Sequence, residues 1–464
     1  MTIAKCIRRL AWLLAAALVS GNQATAGELP ARPNIVVILA DDLGYGDLGC
    51  YGHPTIRTPH LDQMAREGMR FTQFYSAAEV CTPSRAALLT GRLPPRSGMC
   101  SGKRRVAFPD TKGGLPASEL TIAELLKTKG YATACFGKWH LGHLPAYSPL
   151  KHGFDEYFGL PYSNDMDRVA TSPMGRAAFL DPKIDYWNVP LLENNRIVER
   201  PADQHTLTRR YTDEAIRFIR AHKQGPFFVY LPHTMPHVPL FVSDQFAGKS
   251  PRKLYGDVVE ELDTNVGRLL QTLRDEKLAE RTLVVFTSDN GPWLTQGEQG
   301  GSAGLLKDGK GSTWEGGMRE PALFWLPGWI PAGSVSRELA STLDILPTAL
   351  ALAGVDLPQD RPFDGYDIST ALAGGQSPRH EMFYYRGYDL MAARLGPWKA
   401  HFQTQTGYGQ ATAQTHDPPL LFNLEVDPSE RFNVAAANPA VVKEIEALVA
   451  KHRAGLQAAP SQLE

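Results

Sequence analysis

Hydrophobic and polar positions fall along this chain in two alternating kinds of block. The first is a short, unbroken apolar run rich in β-branched or aromatic residues. Pro33–Ala40, Tyr131–Phe136, Pro226–Leu231, Thr282–Thr287 and Glu320–Trp325 are of this kind. Runs of this length suit strands buried on both faces, as in a parallel or mixed sheet covered by helices on each side. Phe71–Tyr75 reads as a further strand. The second kind is amphipathic. Thr58–Gly68, Leu120–Lys129, Thr206–His222, Leu254–Leu278 and Leu343–Ala353 place apolar residues at helical spacing, and Gly68 and Gly130 supply stops. Strand and helix alternate from Asn34 to about Ala353, which predicts an α/β architecture.

The pattern changes twice. From Gly153 to Asp203, Pro, Gly, Asn and aromatic residues lack periodicity, and long loops at the mouth of a site are expected. In the last hundred residues, Met382–Tyr385, Met391–Leu395, Trp398–Phe402 and Leu420–Leu424 read as short strands, and Pro439–Leu456 as a helix. This predicts a small antiparallel sheet with one helix. The expected division is a signal peptide over 1–26, a catalytic domain over 27–360 and a small α+β domain over 361–464. The tail from Gln457 to Glu464 is expected to fray.

The N-terminus reads as an address. Lys5, Arg8 and Arg9 precede an apolar stretch from Leu10 to Ser20, and Ala24-Thr25-Ala26 has the small-x-small pattern of a cleavage site. Cleavage after Ala26 would make the protein secreted or periplasmic. No other stretch is long and apolar enough to span a bilayer stably. The net charge of −1 over 464 residues offers no basic field for nucleic acid. Beyond Cys6, four cysteines remain: Cys50, Cys81, Cys100 and Cys135. Their spacing fits neither a dense disulfide framework nor zinc.

The candidate chemistry lies where the predicted strands end. Asp41 and Asp42 follow the first buried run. Lys138 and His140 follow Tyr131–Phe136, His233 and His237 follow Pro226–Leu231, and Asp289 and Asn290 follow Thr282–Thr287. Sheets of this class build their sites at the carboxyl ends of strands. Two carboxylates before a Gly-rich turn suit a hard cation, or simply cap the turn. The stretch from Cys81 to Arg92 places a cysteine just before a helix start, with Pro83 in the first turn and Arg85 one turn further on. From these residues alone, Cys81 is either a reactive group beside an anion site or a buried thiol. The Gly-rich segment 297–317 holds Lys307 and Lys310 but lacks the spacing of a nucleotide-phosphate loop.

Cys81-Thr82-Pro83-Ser84-Arg85, closed by Leu89-Thr90-Gly91-Arg92, resembles the type I sulfatase motif at every fixed position, and Gly137-Lys138-Trp139-His140-Leu141-Gly142 resembles its second motif. Gly159–Ser163, Gly309-Lys310-Gly311, Trp314–Ala322 and Pro418–Phe422 are most similar to the branch that contains arylsulfatase A and N-acetylgalactosamine-6-sulfatase. The resemblance spans the mature chain. It implies an alkaline-phosphatase-like mixed sheet flanked by helices, with a small C-terminal sheet. It implies conversion of Cys81 to formylglycine by a formylglycine-generating enzyme, and Ca²⁺, rather than Mg²⁺, held by Asp41, Asp42, Asp289 and Asn290 with residue 81. It implies that the hydrated aldehyde attacks the sulfur of a sulfate ester. Arg85 would hold the diol, and Lys138, Lys310 and Ser163 would contact sulfate. His237 is expected to protonate the leaving oxygen and His140 to deprotonate the remaining hydroxyl, releasing sulfate.

His237 is preferred to His233 because His-x-Pro matches the family, and Lys310 to Lys307 because it lies in Gly-Lys-Gly. Asp308 stands where arylsulfatase A has a cysteine, so a disulfide there is absent. The expected activity is hydrolysis of sulfate monoesters, on sulfated sugars, glycosaminoglycan fragments or aryl sulfates. Two alternatives stay open at this point: a phosphomonoester or phosphonate hydrolase with the same aldehyde, and a silent glycan-binding protein with an unconverted thiol.

Overall fold

The computed structural model describes residues 27–410 and 412–464, so the signal-peptide reading of 1–26 lies outside the described residues. The apolar runs become the strands of one eleven-stranded mixed sheet. Its strands are β1 (Asn34–Ala40), β2 (Met69–Tyr75), β3 (Ala132–Phe136), β4 (Glu156–Gly159), β5 (Leu191–Glu193), β6 (Arg196–Glu199), β7 (Phe227–Pro232), β8 (Thr282–Ser288), β9 (Arg319–Trp325), β10 (Ser334–Ser336) and β11 (Ala340–Ser341). They lie in the order β10-β2-β9-β8-β1-β7-β3-β4-β5-β6, with β11 also beside β2.

Strand β1 is central and every residue in it is buried, as its unbroken apolar run requires. Val36, Ile38 and Ala40 enter one core layer, and Ile35, Val37 and Leu39 the other. The first layer is completed by the helices Leu207–Ala221 and Lys253–Asp275. The second is completed by Cys81–Thr90, Ile122–Lys127 and Ile345–Ala353. Burying each large apolar side chain contributes about 1.5–3 kcal/mol, so the strand is held from both sides.

Register then places the strand ends. β1 runs parallel to both neighbours, with Leu39 opposite Pro232 of β7 and Ala40 opposite Ser288 of β8. β3 is parallel to β7 on its far side. The segments that leave β1, β3, β7 and β8 therefore emerge at one edge.

The segment 153–203 departs from the expected loops. It holds β4, β5 and β6, which extend the sheet as its outer edge. These strands have only three or four residues each, too short for alternation to register. The tail also differs from expectation. Ala459 N donates to Pro95 O and Gln462 N to Gly98 O, while Leu463 is fully buried in the second core layer. One apolar residue near the end, with paired backbone on either side, anchors what polarity alone marks as frayed.

The last strands form a separate antiparallel sheet in the order β12 (Glu381–Arg386), β13 (Asp389–Leu395), β14 (Trp398–Thr404) and β15 (Gln414–Asn423). The helix Pro439–Gly455 packs Val442, Ile445 and Val449 on one face, together with Ala87, Leu93 and Leu343 of the larger body. The other face sets Met382, Tyr384 and Ala392 against Tyr75, Met318 and Leu339. A buried ionic seam runs through this contact. Lys399 Nζ lies 2.9 Å from Glu315 Oε1 and 3.1 Å from Glu430 Oε1, and donates to Thr313 O at 2.8 Å. His401 Nε2 is 2.6 Å from Glu430 Oε1, and Tyr75 Oη donates to Glu315 Oε2 at 2.6 Å. All four free cysteines among the described residues are thiols.

Candidate active site

Cys81 opens the helix Cys81–Thr90, behind an extended Val80 at the N-cap. The cysteine is thus the first helical residue rather than the one before it. Its Sγ lies 3.6 Å from Asp41 Oδ1. Burial pushes the thiol up to about 12, against the pull of Lys138 and Lys310. An unmodified Cys81 is therefore protonated at neutral pH and a poor nucleophile.

Arg85, one turn along, is completely buried and aims at the same point. Its Nε donates to Asp289 Oδ2 at 2.9 Å and its Nη1 to Lys138 O at 2.8 Å, and Nη2 is 3.4 Å from Asp41 Oδ2. A guanidinium this deep needs paired carboxylates to offset its lost hydration. Thr82 ties the helix start to the next segment: its Oγ1 donates to His140 O at 3.0 Å and accepts from Ala107 N at 3.1 Å.

Asp41, Asp42 and Asp289 form a carboxylate cluster. Asp42 N donates to Asp289 Oδ1 at 3.2 Å, and Asn290 Nδ2 to Asp42 Oδ1 at 2.7 Å. Lys138 Nζ reaches Asp41 Oδ2 at 2.5 Å and Ser163 Oγ at 3.1 Å. Lys310 Nζ reaches Asp42 at 2.7 Å. Burial works to raise the Asp41 carboxyl, but Lys138 and Arg85 beside it hold it well below the usual range. Asp42 goes the other way, to about 7: burial raises it, Lys310 opposes, and Asp41 and Asp289 add to the rise. Asp42 (φ 64°) and His140 (φ 59°) both sit in the left-handed region, uncommon for residues other than glycine.

The two histidines differ in which nitrogen is free. His140 Nε2 contacts Ala107 O at 2.9 Å; a carbonyl only accepts, so Nε2 carries the proton. The lone pair is on Nδ1, which is buried and has no protein partner. Burial first, then Lys138 and Arg85, push this ring well below the ordinary 6.5. His237 is the reverse. Its Nδ1 faces Val238 O at 2.5 Å, leaving Nε2 3.7 Å from Asp42 Oδ2. Burial and Lys310 hold it neutral as well. His233 stands apart, fully buried near Tyr211 with neither ring nitrogen paired. Lys307 also stands apart, over the Trp314 ring.

Three further side chains form the wall, and no motif marks them. Lys310 Nζ lies 4.6 Å from the Trp293 ring centre, and His237 packs on the same ring. Trp293 stacks on Tyr408 at 5.1 Å, and Arg105 lies over Tyr408 at 5.1 Å. Trp293 lies just beyond Asp289-Asn290, so its place near a strand end was the one available signal. Tyr408 and Arg105 come from remote loops and had none.

Ligand-capable atoms of Asp41, Asp42, Cys81 and His237 all lie within 4.8 Å of one another. Asn290 Oδ1 is buried without a partner, beside this group. Carboxylates with an orphaned amide oxygen form a donor set that fits a hard cation. Asp289 joins the same cluster through the Asp42 amide on one oxygen and Arg85 on the other.

Comparison with known proteins agrees with this geometry. Residues 33–355 match the Sulfatase family and residues 377–464 match the C-terminal region of aryl-sulfatase. The chain is 45% identical to arylsulfatase A of Homo sapiens, over 94% of this chain and 92% of that one. It is 42% identical to N-acetylgalactosamine-6-sulfatase of Canis lupus familiaris, over 97% and 91%. The solved structure of Ps i-CgsB in complex with k-i-k-neocarrahexaose superposes with a TM-score of 0.77 at 33% identity, covering 90% of this chain and 92% of that one. The chain belongs to the sulfatase family, enzymes that hydrolyse sulfate esters.

Proposed function

We propose that the protein is a formylglycine- and Ca²⁺-dependent sulfatase acting on sulfated saccharides, with aryl sulfates as model substrates. The observation that carries this reading is the placement of Cys81. It opens a helix beside Asp41, in a pocket where its own thiol is held protonated, with Lys138 and Lys310 on the neighbouring carboxylates. A hard cation among these carboxylates would favour an oxygen nucleophile at residue 81 over a thiolate. The saccharide seated on Ps i-CgsB supports a sugar substrate.

Two groups would supply chemistry that side chains lack. The hydrated aldehyde at 81 would bring an oxygen nucleophile and a second hydroxyl through which sulfate departs, and Ca²⁺, held by Asp41, Asp42, Asp289 and Asn290 with residue 81, would bring a Lewis acid for a sulfate oxygen. The chain's own residues do the rest. Lys138 and Lys310 hold sulfate oxygens as compact charges, and Ser163, already bonded to Lys138, adds a hydroxyl. Arg85 offsets negative charge at position 81. Nε2 of His237 is the atom available to pass a proton to the leaving oxygen. Its neutral ring takes up that proton as the anionic ester binds, since a nearby anion favours the charged imidazole. Nδ1 of His140 keeps its lone pair for the hydroxyl that must be deprotonated.

The experiment is peptide mass spectrometry for formylglycine at position 81, combined with turnover of an aryl sulfate and of an aryl phosphate. Formylglycine with kcat/KM favouring the sulfate is expected. An unmodified cysteine in active protein, or a preference for phosphate, would sink the reading. Chelation should remove activity, and Ca²⁺ should restore it better than Mg²⁺. Full activity after exhaustive chelation would dismiss the cation.

His140→Ala should lower kcat about 10²–10⁴-fold with a small effect on KM. Because burial, Lys138 and Arg85 hold its pKa below 6.5 in the free enzyme, its lone pair persists in mild acid, and kcat/KM should not fall as pH is lowered through 6.5. A sigmoidal loss of kcat/KM centred at 6.5 would count against His140 as the base.

We further read 27–360 as the catalytic domain and 361–464 as the small domain, which the two separate sheets support. Export to the periplasm or outside the cell, and maturation by a formylglycine-generating enzyme, complete the proposal. Among the described residues no helix is long and apolar enough to cross a membrane.

A further inference from the structure

Beside the reaction centre, a cavity of about 300 Å³ opens along the seam between the two sheets. Val80 and Pro83, the near neighbours of Cys81, line one side, and Arg105 and Arg386 another. The cavity therefore abuts the helix start that carries position 81. Both arginines also donate to Gly311 O, at 2.9 and 2.7 Å, next to the sulfate-binding Lys310.

The charges around this cavity do not balance at one point. Arg105 lies 3.2 Å from Glu79 Oε1, and Lys103 3.4 Å from Glu464 Oε2. Arg386 donates only to the carbonyls of Gly311 and Thr406, at 2.7 and 3.2 Å, and has no ion pair among the described residues. Asp389 lies on the exposed rim. Burial and the neighbouring Arg105 both act against the charge on Arg386, and Glu79 and Asp308 offset them only in part. A half-buried guanidinium facing a cavity and another cation attracts an anion.

The path from Lys310 to this cavity is aromatic. Lys310 rests on Trp293, Trp293 stacks on Tyr408, and Arg105 covers Tyr408. These contacts link the wall of the cavity to the lysine placed on sulfate. We propose that the Arg105–Arg386 cavity holds a second anionic group, a sulfate or a carboxylate, on the sugar that adjoins the one being desulfated. The enzyme would then select saccharides with at least two anions. This inference rests on the sulfatase reading above and names its substrate class.

The test compares kcat/KM for four probes: an aryl sulfate, a singly sulfated neutral disaccharide, the same disaccharide with a second sulfate on the adjoining sugar, and one with a uronate there. Wild-type enzyme should prefer one or both doubly anionic disaccharides over the neutral one by about tenfold or more, mainly through KM, as expected for one charge-assisted contact. The two doubly anionic arms tell sulfate from carboxylate. Arg386→Gln should reduce that preference ratio about tenfold, and Arg386→Lys should keep part of it. No preference in the wild type overturns the proposal without any variant, and an unchanged ratio in Arg386→Gln overturns it equally. If the wild type turns over no sulfate ester at all, the sulfatase reading itself fails; turnover of aryl sulfate without the preference sinks only this inference.

Discussion

Cys81→Ala should lower kcat for any sulfate ester by at least about 10⁴-fold, while the protein keeps its fold. Removing the nucleophile from a site whose other groups act with it forfeits most of their combined effect. The structural cost is small. Cys81 is buried at the first position of its helix, and alanine suits that position and leaves a void only the size of one sulfur. Thermal unfolding should therefore change little. Cys81→Ser separates the aldehyde mechanism from simple displacement. Serine supplies an oxygen but lacks the second hydroxyl through which sulfate departs, so it should stall after one turnover. Sustained turnover by either variant would rule out the proposed nucleophile.

Lys399→Met should produce the largest loss of stability, about 3–5 kcal/mol, the usual cost of breaking a buried ion pair by removing one partner. The lysine is fully buried between Glu315 and Glu430 and also serves the Thr313 carbonyl. Methionine fills similar volume but leaves Glu430 without its lysine and Glu315 with only the longer Arg319 contact at 3.4 Å. Adding Glu430→Gln should recover part of the loss, because it removes one of the stranded charges. The measurement is the Tm by calorimetry, where the two sheets are able to melt as separate transitions. Glu315 begins the short helix Glu315–Met318, a few residues beyond Lys310, so the same variant should raise KM. An unchanged Tm would show that the seam is dispensable.

Much of this protein is legible from local pattern. Strand β1 reads as buried because six consecutive apolar residues, from Ile35 to Ala40, leave no polar face. The helix at Cys81 reads from Pro83 and the apolar residues after it, and the strand-end positions of Asp41, Asp42, Lys138, His237 and Asp289 follow from where the apolar runs stop. These are properties of neighbours in the chain, and backbone geometry imposes them within one element.

What the chain order alone leaves undecided is which ends meet. Lys310 contacts Asp42 across 268 positions, and Lys307, only three residues earlier, turns to Trp314 instead. His237 reaches the carboxylates while His233 is sealed against Tyr211. The tail anchored by Leu463, the short edge strands β4 to β6 and the Trp293–Tyr408 wall also carry no periodic signature. Sequence by itself determined the buried elements and the kinds of group at their ends. The parallel register of β1 with β7 and β8, and the packing of the small sheet through Lys399, decided which of those groups share one pocket, because side chains meet by the alignment of strands and not by their spacing in the chain.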